Sequence, residues 1–236
     1  MIDKVILRQG IETLGLSVSD KQLDLMDAYA ESMIEKNKVM NLTRITEPMK
    51  MLTDHFLDSL TALSVYTPKS GDNLLDIGTG AGFPGAPIAI MCPDVNVTML
   101  DSTGKKIAFI EDTCEDLGID NVSFIVGRAE EEAHNNKRRE NYDVVVARAV
   151  SDMKVLSEIG LGFVKLGGTF LALKSNSVKD EIRNAYGTIQ NMGGKVVKEA
   201  DVTIPISLVG RTIVEIEKVK RTQGKFPRSY QEIIKK

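Results

Sequence analysis

Three kinds of residue stand out for the chemistry they can do: an acid ahead of evenly spaced glycines, two further acids, and cations at the ends of apolar runs. Asp76 lies in the run Leu74-Leu-Asp-Ile77 and is followed by Gly78, Gly80 and Gly82, then by Phe83 and Pro84. Glycine tolerates positive φ and lets a backbone approach a bound group closely. A helix beginning near Pro84 would aim unpaired N–H groups at the same place. Asp101 ends the next apolar run, and Glu130 closes Gly127-Arg128-Ala129-Glu130. Arg148 ends the apolar run from Tyr142, Lys174 ends another, and Arg211 begins a β-rich stretch. An arginine at the end of such a run is expensive to bury alone, so a partner is expected, with Asp76, Asp101 and Glu130 as candidates. Lys174 either faces a phosphate or snorkels to solvent.

Elements that would position these residues follow from periodicity. Strands are expected at 73–77, 95–101, 122–126, 142–148 and 168–174, with helices near 84–91, 104–117, 152–165 and 177–192. Such alternation reads as an α/β fold with a mostly parallel, doubly wound sheet. Two β-rich runs, 195–204 and 211–219, then form a closing antiparallel hairpin. Residues 1–70 read as a helical arm. Ser19 to Gln22 resembles a capping box, and a second helical pattern runs from Pro48 through His55, Phe56 and Leu63. His55 and Asp58 are i,i+3 neighbours and read either as a surface pair or as part of an arm over the ligand mouth. Ligands of open α/β sheets sit at the carboxyl ends of the strands, where Gly78 to Phe83, Asp101, Gly127 to Glu130, Arg148 and Lys174 all fall.

Two ligands compete for the glycine loop. Gly80-Ala-Gly-Phe-Pro-Gly85 fits the G-x-G-x-x-G dinucleotide pattern, with Asp101 as the ribose acid. Counted from Asp76, the same loop is acid-x-G-x-G-x-G and resembles the S-adenosylmethionine-dependent methyltransferases with a Rossmann-like fold. In those enzymes the first acid lies near the methionine end of the cofactor. The closing hairpin favours the second reading, since a dinucleotide enzyme would more often add a second nucleotide-binding half or a substrate domain.

The net charge of −3 excludes a globally basic nucleic-acid coat, so any such contact must be local. Lys218, Lys220, Arg221, Lys225, Arg228, Lys235 and Lys236 face one acid, Glu232, in the final stretch, and Lys137-Arg138-Arg139 adds a second cluster. These read as RNA contacts or as a solvated tail. Cys92 and Cys114 lack metal spacing, and only His55 and His134 are present, so no metal site is expected. No apolar run of membrane-spanning length and no signal segment is read, and a cytoplasmic, monomeric protein is expected.

Seven ordered motifs carry a more specific resemblance: MNLTRI at 40–45, HFLDSL at 55–60, LLDIGTGAGFPG at 74–85, LDSTGKK at 100–106, GRAE at 127–130, ARAV at 147–150 and LALKS at 171–175. From about residue 30 to 220 the chain resembles the bacterial small-subunit ribosomal RNA guanine-N7 methyltransferase G family, also called glucose-inhibited division protein B. The expected organisation is a helical arm over 1–70, a methyltransferase domain over 71–220 and a basic tail over 221–236. The resemblance implies S-adenosylmethionine as cofactor, 16S rRNA or the small ribosomal subunit as partner, and cofactor contacts at Gly78, Phe83, Ala129, Glu130 and Arg148, with Asp101 on the ribose. Asp76, Gly80 and Gly82 complete the cofactor set. Arg128, Lys174 and Arg211 are expected to face RNA. Guanine N7 has an in-plane lone pair and loses no proton on methylation, so alignment matters more than a general base. Its edge is hidden in the narrow major groove of A-form RNA, so an unstacked guanine is the expected target. A dinucleotide-dependent oxidoreductase and a non-catalytic ribosome assembly factor are the alternatives.

Overall fold

The computed structural model describes residues 2–148, 151–175 and 178–235. The parts of the readings above that fall on Met1, Ala149, Val150, Asn176, Ser177 and Lys236 lie outside the described residues. Helices are α1 (Lys4–Thr13), α2 (Asp20–Met40), α3 (Pro48–Lys50), a π-helical segment (Met51–Leu57), α4 (Asp58–Val65), α5 (Gly85–Met91), α6 (Gly104–Leu117), α7 (Ala129–Glu132), α8 (Met153–Gly160), α9 (Lys179–Asn191) and α10 (Tyr230–Ile234). Strands are β1 (Asn73–Ile77), β2 (Asn96–Asp101), β3 (Val122–Val126), β4 (Tyr142–Arg148), β5 (Val164–Ser175), β6 (Gly194–Thr203) and β7 (Gly210–Lys218). They form one sheet in the order β3-β2-β1-β4-β5-β7-β6, with β1 to β5 parallel and β7 antiparallel to both β5 and β6. Strand order reverses between β1 and β4, the switch point at which such sheets bind ligands.

Strand side chains alternate, and each face of the sheet has its own core. Leu74, Met99, Val144, Val146, Leu171, Leu173 and Ile213 pack on the face that carries α1, α2, α4, α5 and α6. Leu75, Ile77, Val145, Ala147, Phe170, Ala172, Val214 and Ile216 pack on the face of α8, α9 and α10. Fully buried side chains of this size each stabilise the fold by roughly 1.5–3 kcal/mol. The parity also decides where the polar strand ends go. Arg148 and Arg211 share parity with Val146 and Ile213 and face the N-terminal arm, whereas Lys174 shares parity with Ala172 and faces α8 and α9.

The arm is tied to the sheet by named bonds. Ser19 and Gln22 form the expected capping box, and Gln22 Nε2 also donates to the Ile90 carbonyl at the end of α5 (3.0 Å). From the middle of α2, the buried Tyr29 hydroxyl donates to the Ala81 carbonyl inside the glycine loop (2.9 Å).

Three expectations are corrected. The helix expected over 152–165 ends at Gly160, and β5 begins at Val164 rather than 168. Val164 pairs with Tyr142, and Gly167, at φ +80°, absorbs the irregularity before the regular ladder resumes at Thr169. The helical stretch after Pro48 is continuous in direction, but its middle, Met51–Leu57, is wound as a π-helix. Finally, Lys218 is buried rather than solvated: its ammonium contacts the Leu161 carbonyl, Thr222 Oγ1 and Glu140. Burial pushes its pKa down to about 8, against the pull of Glu140.

Candidate active site

The glycine loop leaves β1 with Gly78, Gly80 and Gly82 at φ of +71°, +63° and +95°. Positive φ strains any side chain at these positions, and two of them differ in the space around them. Gly80 opens outward, with nothing nearer to an added Cβ than the Gly78 carbonyl at 4.0 Å, so it leaves a cradle for a bound group. A Cβ on Gly82 would collide with the Tyr29 hydroxyl. Asp76 is wholly buried and its Oδ2 accepts from Gly85 N–H (2.8 Å), closing the loop from behind. Burial raises its pKa to about 6, although Gly85 N–H and Arg148 pull the other way. The Asp76 carboxylate thus holds the loop from beneath.

Asp101 ends β2 beside the loop. Its Oδ2 accepts from Gly80 N–H (3.0 Å), its Oδ1 from Thr103 N–H (2.8 Å), and Lys106 stands 4.0 Å away. With Ile77, Gly78, Gly127, Arg128, Ala129 and Glu130 it lines a cavity of about 210 Å³ at the ends of β1, β2 and β3. These residues suit a nucleoside. An acid held by backbone donors keeps further lone pairs for a diol, and the flanking glycines let a ring pass close to the chain. Thr79 is buried beneath the loop and its side chain, like Gly85 N–H, favours the ionised form of Asp76.

A second cavity, about 460 Å³, opens at the ends of β4, β5 and β7. Ile45, Asp54, His55 and Asp58 line it from the arm, and Arg148, Leu173, Lys174, Ser175 and Arg211 from the sheet. Its centre is Asp58, whose side chain is only 4% exposed. Asp58 Oδ2 accepts from Arg148 Nη1 (2.9 Å), and Oδ1 accepts from Arg211 Nε (2.9 Å). Arg148 Nη1 also donates to the Asp54 carbonyl in the π-helical segment (2.8 Å). The expected partners of Arg148, namely Asp76, Asp101 or Glu130, are thus corrected to Asp58. Likewise His55 and Asp58 are not a surface pair, since both are buried against the sheet. π-Turns are frequent at functional sites, and here one turns a carbonyl toward the guanidinium.

His55 links the second cavity to the glycine loop through Phe83. Its ring stacks on Phe83 at 4.5 Å between centroids, with Phe56 and Tyr29 edge-on to Phe83 and Arg148 over it at 5.7 Å. Phe83 is therefore 4% exposed, a packing centre between loop and arm. His55 Nε2 meets Thr43 Oγ1 at 2.9 Å, and Thr43 N–H donates to Asn37 Oδ1, so the polar segment after α2 is fastened at the site. Burial, and then the Arg148 charge, lower the His55 pKa to about 4, against Asp54. The imidazole is neutral at pH 7.

Lys174 lines the cavity, yet its ammonium is held by the Ser151 carbonyl (2.8 Å) and Glu181 (2.7 Å), so it neither snorkels nor stands free for a phosphate. Arg128 is exposed at the mouth of the nucleoside-sized cavity. Arg138 pairs with Glu132, and Arg139 donates to backbone carbonyls of the C-terminal segment, which removes both from the expected RNA cluster. Arg228 is likewise bound to Glu158. Residue type and spacing alone do not single out Tyr29, Asp54 or Tyr230. For Asp58 the available signal is a lone acid inside the apolar HFLDSL run. A larger cavity of about 550 Å³ lies at the other end of the sheet, between α2 and the residues preceding β2 and β3, and holds none of these groups.

Residues 22–204 match the family described as rRNA small subunit methyltransferase G, GidB. The chain belongs to this family. The ribosomal RNA small subunit methyltransferase G of Alkaliphilus metalliredigens is 41% identical over 97% of this chain and 95% of its own length. That of Lactobacillus acidophilus is 42% identical over 91% and 90%. Among solved structures, M. jannaschii TYW2 in complex with AdoMet is similar at a TM-score of 0.55, with 12% identity over 74% of this chain and 79% of that one, a likeness of fold. Membership of the methyltransferase G family, on a Rossmann-like methyltransferase sheet, sets aside the dinucleotide-dependent oxidoreductase. Among the described residues there is no cluster able to hold a metal ion and no helix long and apolar enough to cross a membrane.

Proposed function

We propose that this methyltransferase transfers the methyl group of S-adenosylmethionine to N7 of a guanine in 16S rRNA, acting as a monomer on the small ribosomal subunit in the cytoplasm. The observation that carries this reading is the pair of cavities flanking the glycine loop, one edged by Asp101 and Glu130, the other by Asp58, Arg148 and Arg211. Asp101, Gly78, Gly80, Ala129 and Glu130 would hold the nucleoside part of the cofactor, with Asp76 and Gly82 shaping the loop behind it. The cofactor supplies an electrophilic methyl group on a sulfonium.

The chain's own task is alignment. Asp58 positions two guanidinium groups at fixed places on the cavity wall, and Phe83 and His55 link that wall to the loop. Arg148 and Arg211 would then orient the base or its phosphate, with Arg128 at the neighbouring mouth. No proton has to be removed from N7, which agrees with a site whose imidazole is neutral and whose buried acid is committed to ion pairs. Nucleoside mass spectrometry of 16S rRNA from cells with and without the protein tests the product. Tritium transfer from labelled S-adenosylmethionine to small subunits separates an enzyme from a non-catalytic factor. Label found on no nucleoside, or on one other than N7-methylguanosine, would contradict the proposal.

A further inference from the structure

After β7 the chain does not trail into solvent; it is bolted across the mouth of the Asp101 cavity. Arg139 donates to the Thr222, Gln223 and Phe226 carbonyls (3.0, 3.1 and 2.7 Å), and His134 Nε2 meets the Pro227 carbonyl (2.7 Å). Arg228 then forks onto Glu158, a side chain only 1% exposed on α8, through Nε (2.9 Å) and Nη2 (2.7 Å), while its N–H donates to the same carboxylate (3.0 Å). Ser229 and Glu232 cap α10, and Ile233 is buried in the core beneath α8 and α9. Between these fixed points stands Tyr230. It lines the 210 Å³ cavity with Gly127, Ala129 and Glu130 and yet remains 41% exposed.

An aromatic residue on a segment anchored on both sides, part exposed at the wall of a nucleoside-sized cavity, has a chemistry to offer. Aromatic faces stack on purines whatever their hydrogen-bonding edge, worth about 1–3 kcal/mol per base. We infer that the C-terminal segment forms one wall of the cofactor pocket and that Tyr230 positions the adenine end of S-adenosylmethionine. Arg139, Glu158 and Arg228 act through it, as the clamp that fixes the ring. This inference rests on the cofactor reading above and adds a residue and a segment to it.

Tyr230→Ala, Tyr230→Phe and a control on α9, Tyr186→Ala, are titrated calorimetrically with S-adenosylhomocysteine. Tyr230→Ala is expected to raise Kd about tenfold or more, and Tyr230→Phe and Tyr186→Ala to stay within about twofold of wild type. The chain contains no tryptophan, so Tyr230→Trp places a sole fluorophore at the wall. Its emission is expected to change with S-adenosylhomocysteine and with adenosine, and not with methionine. An unchanged Kd for Tyr230→Ala, or tryptophan emission indifferent to saturating S-adenosylhomocysteine, would overturn the inference while leaving the cofactor reading intact. Wild type that does not bind S-adenosylhomocysteine would remove both.

Discussion

Asp58 is the residue on which the cavity at the ends of β4, β5 and β7 depends. It neutralises Arg148 and Arg211 at once, and removing one partner of a buried ion pair leaves charge uncompensated, at a cost of about 3–5 kcal/mol. Asp58→Asn should therefore lower the melting temperature by roughly 10 °C and abolish rRNA methylation. A melting temperature unchanged from wild type would show the carboxylate to be dispensable to the fold. His55 makes a pH prediction. Its pKa is about 4 in the folded chain against 6.5 unfolded, so between those values the unfolded state binds more protons and stability falls as pH drops. Asp76, raised to about 6, works in the opposite sense, losing stability as pH rises from 3.8 to 6. The His55 contribution is isolated by comparison with His55→Gln. The advantage of wild type over that variant should shrink by up to about 3 kcal/mol as denaturation is followed from pH 6.5 down to 4. A difference that stays constant with pH would contradict a buried neutral imidazole.

At the scale of elements, strand parity explains which cations meet. Arg148 and Arg211 end up on the arm side because they follow Val146 and precede Ile213 by two residues, and Lys174 is turned away because it follows Ala172 by two. The alternation is readable in the sequence. The π-helical segment that brings Asp58 and the Asp54 carbonyl to Arg148 is not, because its apolar pattern is that of an ordinary helix. The C-terminal clamp belongs to the same scale. Arg139 commits its guanidinium to carbonyls of the segment after β7, so Arg139→Ala should release residues 222–235, seen as faster amide hydrogen exchange there, at a cost of about 1–3 kcal/mol. Exchange equal to wild type over that stretch would mean that Arg228 and Ile233 hold it alone.

For the whole molecule, the internal use of Arg138, Arg139, Arg148, Lys174, Lys218 and Arg228 takes these cations away from RNA, while Lys220, Arg221 and Lys225 of the expected cluster stay exposed. Arg44 and Arg128 are exposed, on the site-proximal segment after α2 and at the nucleoside cavity. Replacing both with alanine should weaken binding to small subunits and reduce the salt slope by about 1–2, at about 0.7–0.9 for each phosphate left without its cation. Neutralising Arg139 and Arg228 should instead lower thermal stability. Equal salt slopes for wild type and the Arg44, Arg128 double variant would place the RNA interface elsewhere.

The α/β alternation, the glycine loop, Asp101 and the closing hairpin are legible in the residues alone, because each is a local matter of periodicity, glycine conformation and strand ends. Seven motifs in order go further and name the family. Tertiary structure decides what lies far apart in the chain: that Asp58 rather than Asp76, Asp101 or Glu130 takes Arg148, that Phe83 is sealed between His55, Phe56 and Tyr29, and that the basic C-terminal segment is anchored beside the Asp101 cavity. The physical reason is common to all three. A charge or ring announces that it needs a partner, but which partner it finds is set by the packing of distant elements on a chosen face of the sheet.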